Sequence, residues 1–239
     1  MHVPDGFLNI PTSVTTGVIA AAGVGLALRG ARRELDDRTA PMAGLVAAFI
    51  FAGQMINFPV AGGTSGHLLG GALAAVLVGP WTGVLCLSVV LLVQGLVMAD
   101  GGLTALGTNI TLMGLVGVGV GWLVFRLVRG VLPTRLSMVP VAAAIAALVS
   151  VPTAALGFTA LFGFSQLSDQ WFDVPPTAPV PLGTVASAMV GWHVLIGLGE
   201  ALITGLVVRS VVSVRPDLVY GARPALAARA ASPSSEVTA

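Results

Sequence analysis

The chain carries three histidines among its 239 residues, at His2, His67 and His193. His2 stands out for its position. A free Met1 amine, the His2 backbone nitrogen and the His2 imidazole Nδ1 can close two fused chelate rings on one metal ion. The amine and amide nitrogens close a five-membered ring, and the amide and Nδ1 a six-membered one. A second imidazole, from His67, would complete a square of four nitrogens. Such a square suits Ni²⁺ or Cu²⁺, and Co²⁺ is compatible with it. Mg²⁺ and Ca²⁺ prefer oxygen ligands. Pro4 fixes a turn after the chelate, and Gly6 permits another. Two other pairings are open to the same residue types. His193 and Glu200 stand seven residues apart, which puts them on nearly one helix face about 10 Å apart along the axis. They could form a proton relay or a gate, but a hydrogen-bonded glutamate that fixes helix packing is the favoured reading. Ser65 and His193 could in principle form a nucleophile and base. Nothing else supports that hydrolase, and no enzymatic activity is expected.

The elements that position these residues are membrane spans. The chain is 56% hydrophobic and only 9% charged, with a mean hydropathy of +0.97. Soluble domains carry about 25% charged residues, so this chain could not wet its own surface as a soluble globule. Disorder is excluded by the same greasiness. The expected fold is an all-α integral membrane protein, a bundle of seven transmembrane helices near residues 12–28, 41–58, 64–80, 81–99, 107–125, 138–164 and 184–208. Gly79-Pro80 is the one break between residues 64 and 99 and reads as a turn between two spans.

All eleven basic residues are arginines. They cluster after the first span (Arg29 to Arg38), after the fifth (Arg126 to Arg135) and after the seventh (Arg209 to Arg229). With seven spans and the N-terminus outside, the positive-inside rule puts every arginine and the C-terminus on the cytoplasmic side. The loop bearing Asp169 and Asp173 then falls outside, as does Asp100. Residues 1–210 form the membrane domain, and 211–239 read as a flexible cytoplasmic tail. The first residues lack the basic start of a secretory signal peptide. A net charge of +1 gives no field for nucleic acid.

Polar residues within spans are costly and mark functional candidates. In this orientation Gln54, Asn57, His67, Gln94, Asn109 and Thr111 all fall in the outer half. A polar pocket open to the outside would explain the clustering; helix capping, as by Thr64 and Ser65, is the plainer alternative. Asp5, Gln54, Asn57, Thr64 and Ser65 are the candidates for orienting the metal ligands. Gly17, Ala21 and Gly25 form a row of small residues on span one, suited either to packing within the bundle or to docking a partner membrane helix.

Two stretches carry a family resemblance. The opening Met1-His2-Val3-Pro4-Asp5-Gly6-Phe7-Leu8 and the segment from Asn57 to Gly71, with Ala61-Gly62-Gly63-Thr64-Ser65-Gly66-His67 at its centre, resemble the cobalt/nickel substrate-binding membrane subunits of energy-coupling factor transporters, the CbiM/NikM family. The resemblance spans about residues 1–210. It implies capture of Ni²⁺ or Co²⁺ as the transported substrate, held by the Met1 amine, the His2 amide and imidazole, and His67. It also implies partners: a membrane-embedded energy-coupling subunit, two cytoplasmic ATPase subunits and often a small accessory membrane protein. The location would be the bacterial or archaeal cell (inner) membrane. The chain has no P-loop motif and no lysine, so no ATP is expected to bind to it. The rival transport reading is a proton-coupled secondary metal transporter using Glu200 and His193. It lacks the paired broken segments typical of that class.

Overall fold

The computed structural model describes residues 2–36, 39–60 and 64–231. Among the described residues five helices are long and apolar enough to cross a membrane: Ile10–Ala31, Pro80–Val97, Leu106–Val131, Leu136–Trp171 and Leu182–Val214. A shorter apolar helix covers Ala40–Gln54.

Helix α1 (Ile10–Ala31) starts at Asn9, whose side chain accepts from Thr12 N at 3.1 Å. Its buried face is Thr12, Thr16, Ala20, Ala27 and Ala31. Val14, Val18, Leu26 and Leu28 point outward, as a lipid-facing stripe would. Helix α2 (Ala40–Gln54) leads into a small antiparallel hairpin of β1 (Phe58–Val60) and β2 (Thr64–Gly66), with Pro59 opposite Ser65.

The expected third span, 64–80, is therefore corrected. Only Gly71–Val78 is helical there; this is α3. Eight residues rise about 12 Å, against a hydrocarbon core of about 30 Å. The reason is local. Gly70 holds φ +79°, a conformation an L side chain resists, and the chain enters α3 only from there. All eight α3 residues are buried. A Cβ on Gly71 would lie 2.7 Å from the Gly117 carbonyl carbon, and one on Gly121 2.8 Å from Ala72 Cα. Bare glycine backbones thus let α3 sit at the centre of the bundle.

Helix α4 (Pro80–Val97) begins at the expected break, where Gly79 adopts φ +99° and Pro80 takes the first helical position. The next helix is continuous but not uniform. It runs through α5 (Leu106–Asn109), a π-helical stretch (Ile110–Gly117) and α6 (Val118–Val131). Helices α7 (Val139–Trp171) and α8 (Leu182–Val214) have 33 residues each and form the most extensive helix pair. Pro152 interrupts the α7 hydrogen-bond ladder at Leu148 O. Gly197 of α8 comes closest there, its Cβ position 3.2 Å from that oxygen.

Two further expectations need correcting. The acidic loop expected over 165–183 is helical as far as Trp171, and Asp169 is buried. The tail expected to be flexible from 211 continues α8 to Val214, turns at Pro216–Leu218 and Tyr220–Ala222, and forms α9 (Arg223–Ala231). Val219, Ala222 and Ala225 are buried, and Tyr220 packs on Trp122 at 5.4 Å. Apolar residues at these three positions give the segment a reason to dock. Residues 232–239 lie outside the described residues.

Because the Gly71 contact is with backbone, Gly71→Ala should destabilise the purified protein by about 1–3 kcal/mol. Gly25→Ala, where the added methyl meets nothing within 4 Å, should leave thermal unfolding unchanged. Equal midpoints for the two variants in a melting experiment would contradict the central placement of α3.

Candidate functional site

Residues 2–9 do not trail from the bundle. They run into it as a strap, and Val3, Phe7 and Leu8 are buried. Val3 N donates to Asn109 Oδ1 at 2.8 Å; Val3 O accepts from Gly102 N at 2.8 Å and from Asn109 Nδ2 at 3.3 Å. Asp5 Oδ1 accepts from Thr104 N at 2.7 Å and Thr104 Oγ1 at 2.6 Å. These two hydrogen bonds from Thr104 hold the Asp5 carboxyl below its ordinary range. Gly6 turns the strap at φ +72°. Phe7 then packs on Phe162 and Phe158 at 5.0 and 5.8 Å. Asn9 closes the strap by donating to Ser165 O and Asp169 Oδ1, at 3.0 and 2.7 Å.

The strap delivers His2 to His67. Their rings stack with centroids 4.4 Å apart and planes 25° from parallel. His2 Nε2 lies 3.1 Å from Gln94 Oε1. Its Nδ1 lies 3.1 Å from Asp100 Oδ1, close but not aligned as a hydrogen bond. Asp100 also accepts from Asn57 Nδ2 at 3.3 Å. The nearby His2 ring, more than the Asn57 amide, holds the Asp100 carboxyl below its usual range. His67 Nδ1 faces Leu68 O at 2.7 Å. A carbonyl only accepts, so Nδ1 carries the proton and Nε2 keeps its lone pair. That Nε2 is buried and has no hydrogen-bond partner among the described residues.

His67 Nε2 is not alone. Gln54 Oε1, Gln94 Nε2 and His193 Nε2 are likewise buried without a hydrogen-bond partner among the described residues, and His2 Nδ1 has only the Asp100 contact. Buried polar atoms are normally satisfied, so this group of orphan atoms makes the stacked imidazoles the candidate ligand-binding centre. An open cleft of about 610 Å³ leads to it, lined by His2, Asp5, Asn57, Ser65 and Asp100 among others. The two carboxylates give the cleft a cation-attracting lining. Among the described residues no group of three or more His, Cys, Asp or Glu side chains could by itself hold a metal. A chelate drawing two of four nitrogens from the backbone would not form such a group.

Comparison with known proteins decides the family. Residues 2–218 match the family model described as the cobalt uptake substrate-specific transmembrane region, CbiM. The chain belongs to the CbiM family. A protein of Haloquadratum walsbyi named for metal transport is 37% identical over 220 residues, covering 92% of this chain and 94% of its own length. The fused nickel transport protein NikMN of Rhodobacter capsulatus is 35% identical over 222 residues, covering 92% of this chain and 64% of the longer relative. The crystal structure of a truncated transition metal transporter superposes with a TM-score of 0.82 at 30% identity, covering 89% of this chain and 99% of that one.

In this CbiM-family chain the candidate residues fall in different places. The structure brings His2, Asp5, Asn57 and Ser65 to the cleft and stacks His67 against His2. Gln54 acts one step away: its Nε2 donates to Leu69 O at 2.8 Å and so fixes the segment that carries His67. Thr64 pairs with Val60 in the hairpin. Met1 and residues 61–63 lie outside the described residues. Gly17, Ala21 and Gly25 are not at the site. Gly17 abuts Gly107 of α5, while Ala21 and Gly25 are exposed. Gln94, Asn109 and Asp100 touch the strap directly, although the sequence marks them only as polar or acidic groups at the same end. That shared depth was the available signal.

Glu200 and His193 are engaged separately. Glu200 Oε2 accepts from Leu69 N at 2.6 Å and Oε1 from Gly70 N at 2.9 Å. His193 Nδ1 faces Met189 O, on its own helix, at 2.8 Å. This matches the favoured reading of Glu200 as a packing group, with the loop after His67 as the partner it holds.

The strap's tether has a defined pH response. Asp5 titrates below its ordinary value when folded, so the Thr104 hydrogen bonds are fully formed above about pH 4. They are lost as pH falls through the lowered value. The Thr104 amide proton followed by NMR should titrate with a midpoint below that of a free aspartate. A midpoint at or above about 4 would mean the tether does not form in solution.

Proposed function

We propose that the chain is the substrate-binding membrane subunit of an energy-coupling factor importer, capturing Ni²⁺ or Co²⁺ from outside for uptake driven by ATP hydrolysis on partner subunits. The observation that carries this reading is the pair of stacked imidazoles, His2 on His67, with His67 Nε2 buried, unprotonated and without a hydrogen-bond partner among the described residues, behind a His2 that lines an acidic cleft. The Met1 amine, the His2 amide nitrogen, His2 Nδ1 and His67 Nε2 are the proposed donors. Asp5, Asn109 and Gly102 hold the strap that presents the first three. Gln54 and Glu200 hold the loop that presents the fourth. Four nitrogen donors favour nickel and cobalt over magnesium and calcium. Relatives named for nickel transport and for cobalt transport both match this chain.

The proposed orientation places the cleft outside and the arginine-rich loops and C-terminus in the cytoplasm. The six apolar helices and buried α3 together make up the seven-helix bundle of this reading. A membrane-embedded coupling subunit, two ATPases and a small accessory membrane protein complete the importer. Release inside requires the chelate to break, and protonation of its nitrogens works in that direction. The strap is the element proposed to withdraw, since its hold depends on a few hydrogen bonds and three buried side chains rather than on helical continuity.

Calorimetry with Ni²⁺ and Co²⁺ tests the reading, using protein with its native N-terminus beside protein with one residue added before Met1. The addition moves the amine away from His2 and destroys the fused rings. Tight binding to the native form, weakened at least a hundredfold in the extended form, is the expected result. Equal affinity in both would place the metal elsewhere, and no binding in either would overturn metal capture.

A further inference from the structure

The docked tail creates a second site at the other end of the molecule. Arg126 and Arg129 on α6 and Arg223 at the start of α9 line a cleft of about 410 Å³, with Trp122 and Tyr220 in its wall. No acidic side chain lines this cleft among the described residues. The Arg223 guanidinium sits over the Tyr220 ring, 4.5 Å from its centre. Arg129 Nη1 donates to Pro133 O at 3.0 Å, which fixes the direction of its fork. A neighbouring cleft of about 580 Å³ adds Arg29 and Arg33 from α1. The one carboxylate in that second cleft is already committed: Glu34 accepts from Trp81 N at 3.2 Å and Thr82 N at 2.7 Å, capping α4. Among the described residues the result is a concave surface with five arginines against one carboxylate.

Guanidinium forks match the oxygens of a phosphate, two hydrogen bonds at a time. The surroundings favour a phosphate carried by a lipid. Trp122 and Tyr220 are of the residue types that settle at the headgroup level of a bilayer. Leu123, Leu127 and Val131 point outward from the same helix, beside the arginines, and supply an apolar path for acyl chains. Basic clefts between helix ends are a recurrent way to hold anionic headgroups.

We infer that this cleft binds the phosphate headgroup of an anionic phospholipid, which bridges α6 to the tail segment Tyr220–Ala231. The lipid supplies the counter-charge that the cleft lacks. It ties the tail to the bundle on the face opposite the metal cleft, so tail docking depends on membrane composition.

Native mass spectrometry of the full chain released from nanodiscs tests this. Phosphatidylglycerol should be retained, and phosphatidylcholine should not. Arg126→Gln, at an exposed position, should weaken retention about fivefold, and Arg126→Gln with Arg223→Gln about twentyfold or more. Thermal melting in detergent supplies a second reading: phosphatidylglycerol should raise the midpoint of the native chain and not that of the double variant. Circular dichroism establishes that both variants keep their helix content. Should the double variant fail this check, the single variant decides. Equal retention by native and variant chains, or equal retention of both lipids, overturns the site. Inorganic phosphate at 10 mM giving the same stabilisation as the lipid would make the ligand a free anion and overturn the lipid assignment. Stabilisation only by an acidic peptide would make the cleft a protein-docking surface and overturn it likewise.

Discussion

Everything at the end that carries His2 and His67 depends on how the segment from His67 to Gly70 is kept out of a helix inside an apolar bundle. Unpaired peptide groups in such surroundings cost several kcal/mol each. Glu200 accepts from the Leu69 and Gly70 nitrogens, and Gln54 donates to the Leu69 carbonyl. Three side-chain hydrogen bonds thus stand in for a helical ladder. They free the chain to bend, and the bend lets His67 turn its proton to Leu68 O and its lone pair inward. A glutamate and a glutamine in the apolar interior are the cost of one oriented imidazole. The left-handed Gly70 then lets the chain resume as α3.

The strap obeys the same rule by different means. It has no regular structure, so its peptide groups are met one at a time, by Asn109, Gly102 and Ser165, while Thr104 holds the Asp5 carboxylate. Phe7 and Leu8 anchor it by burial. Those interactions set His2 over His67 without making His2 part of any helix.

Much of this was legible in the sequence, and the limits have physical causes. His2 was readable because three donors within one residue of a chain start is a property of covalent geometry alone. The Gly79-Pro80 break was readable because both residues restrict the backbone locally. The third span was not: Gly70 through Val78 is as apolar as a spanning helix, and hydropathy does not register that Gly70 is left-handed or that Glu200, 130 residues away, satisfies its nitrogen. Asp169 was read as part of a loop because it is charged; of its partners, Thr177 is eight residues away but Asn9 is 160 residues away. The tail was read as mobile from its composition, although Val219, Ala222 and Ala225 are spaced at three residues and share a buried side. Pairings over long separations were what the one-dimensional pattern lacked.

The central claim is that His67 Nε2 and the nitrogens of the strap meet on one metal ion. X-ray absorption spectroscopy of the nickel-loaded protein tests this most directly, because it reads the donor set itself. The account predicts about four nitrogen donors with the scattering of two imidazoles, and one imidazole in His67→Gln. A six-coordinate, oxygen-rich environment, or a spectrum unchanged by His67→Gln, would contradict it.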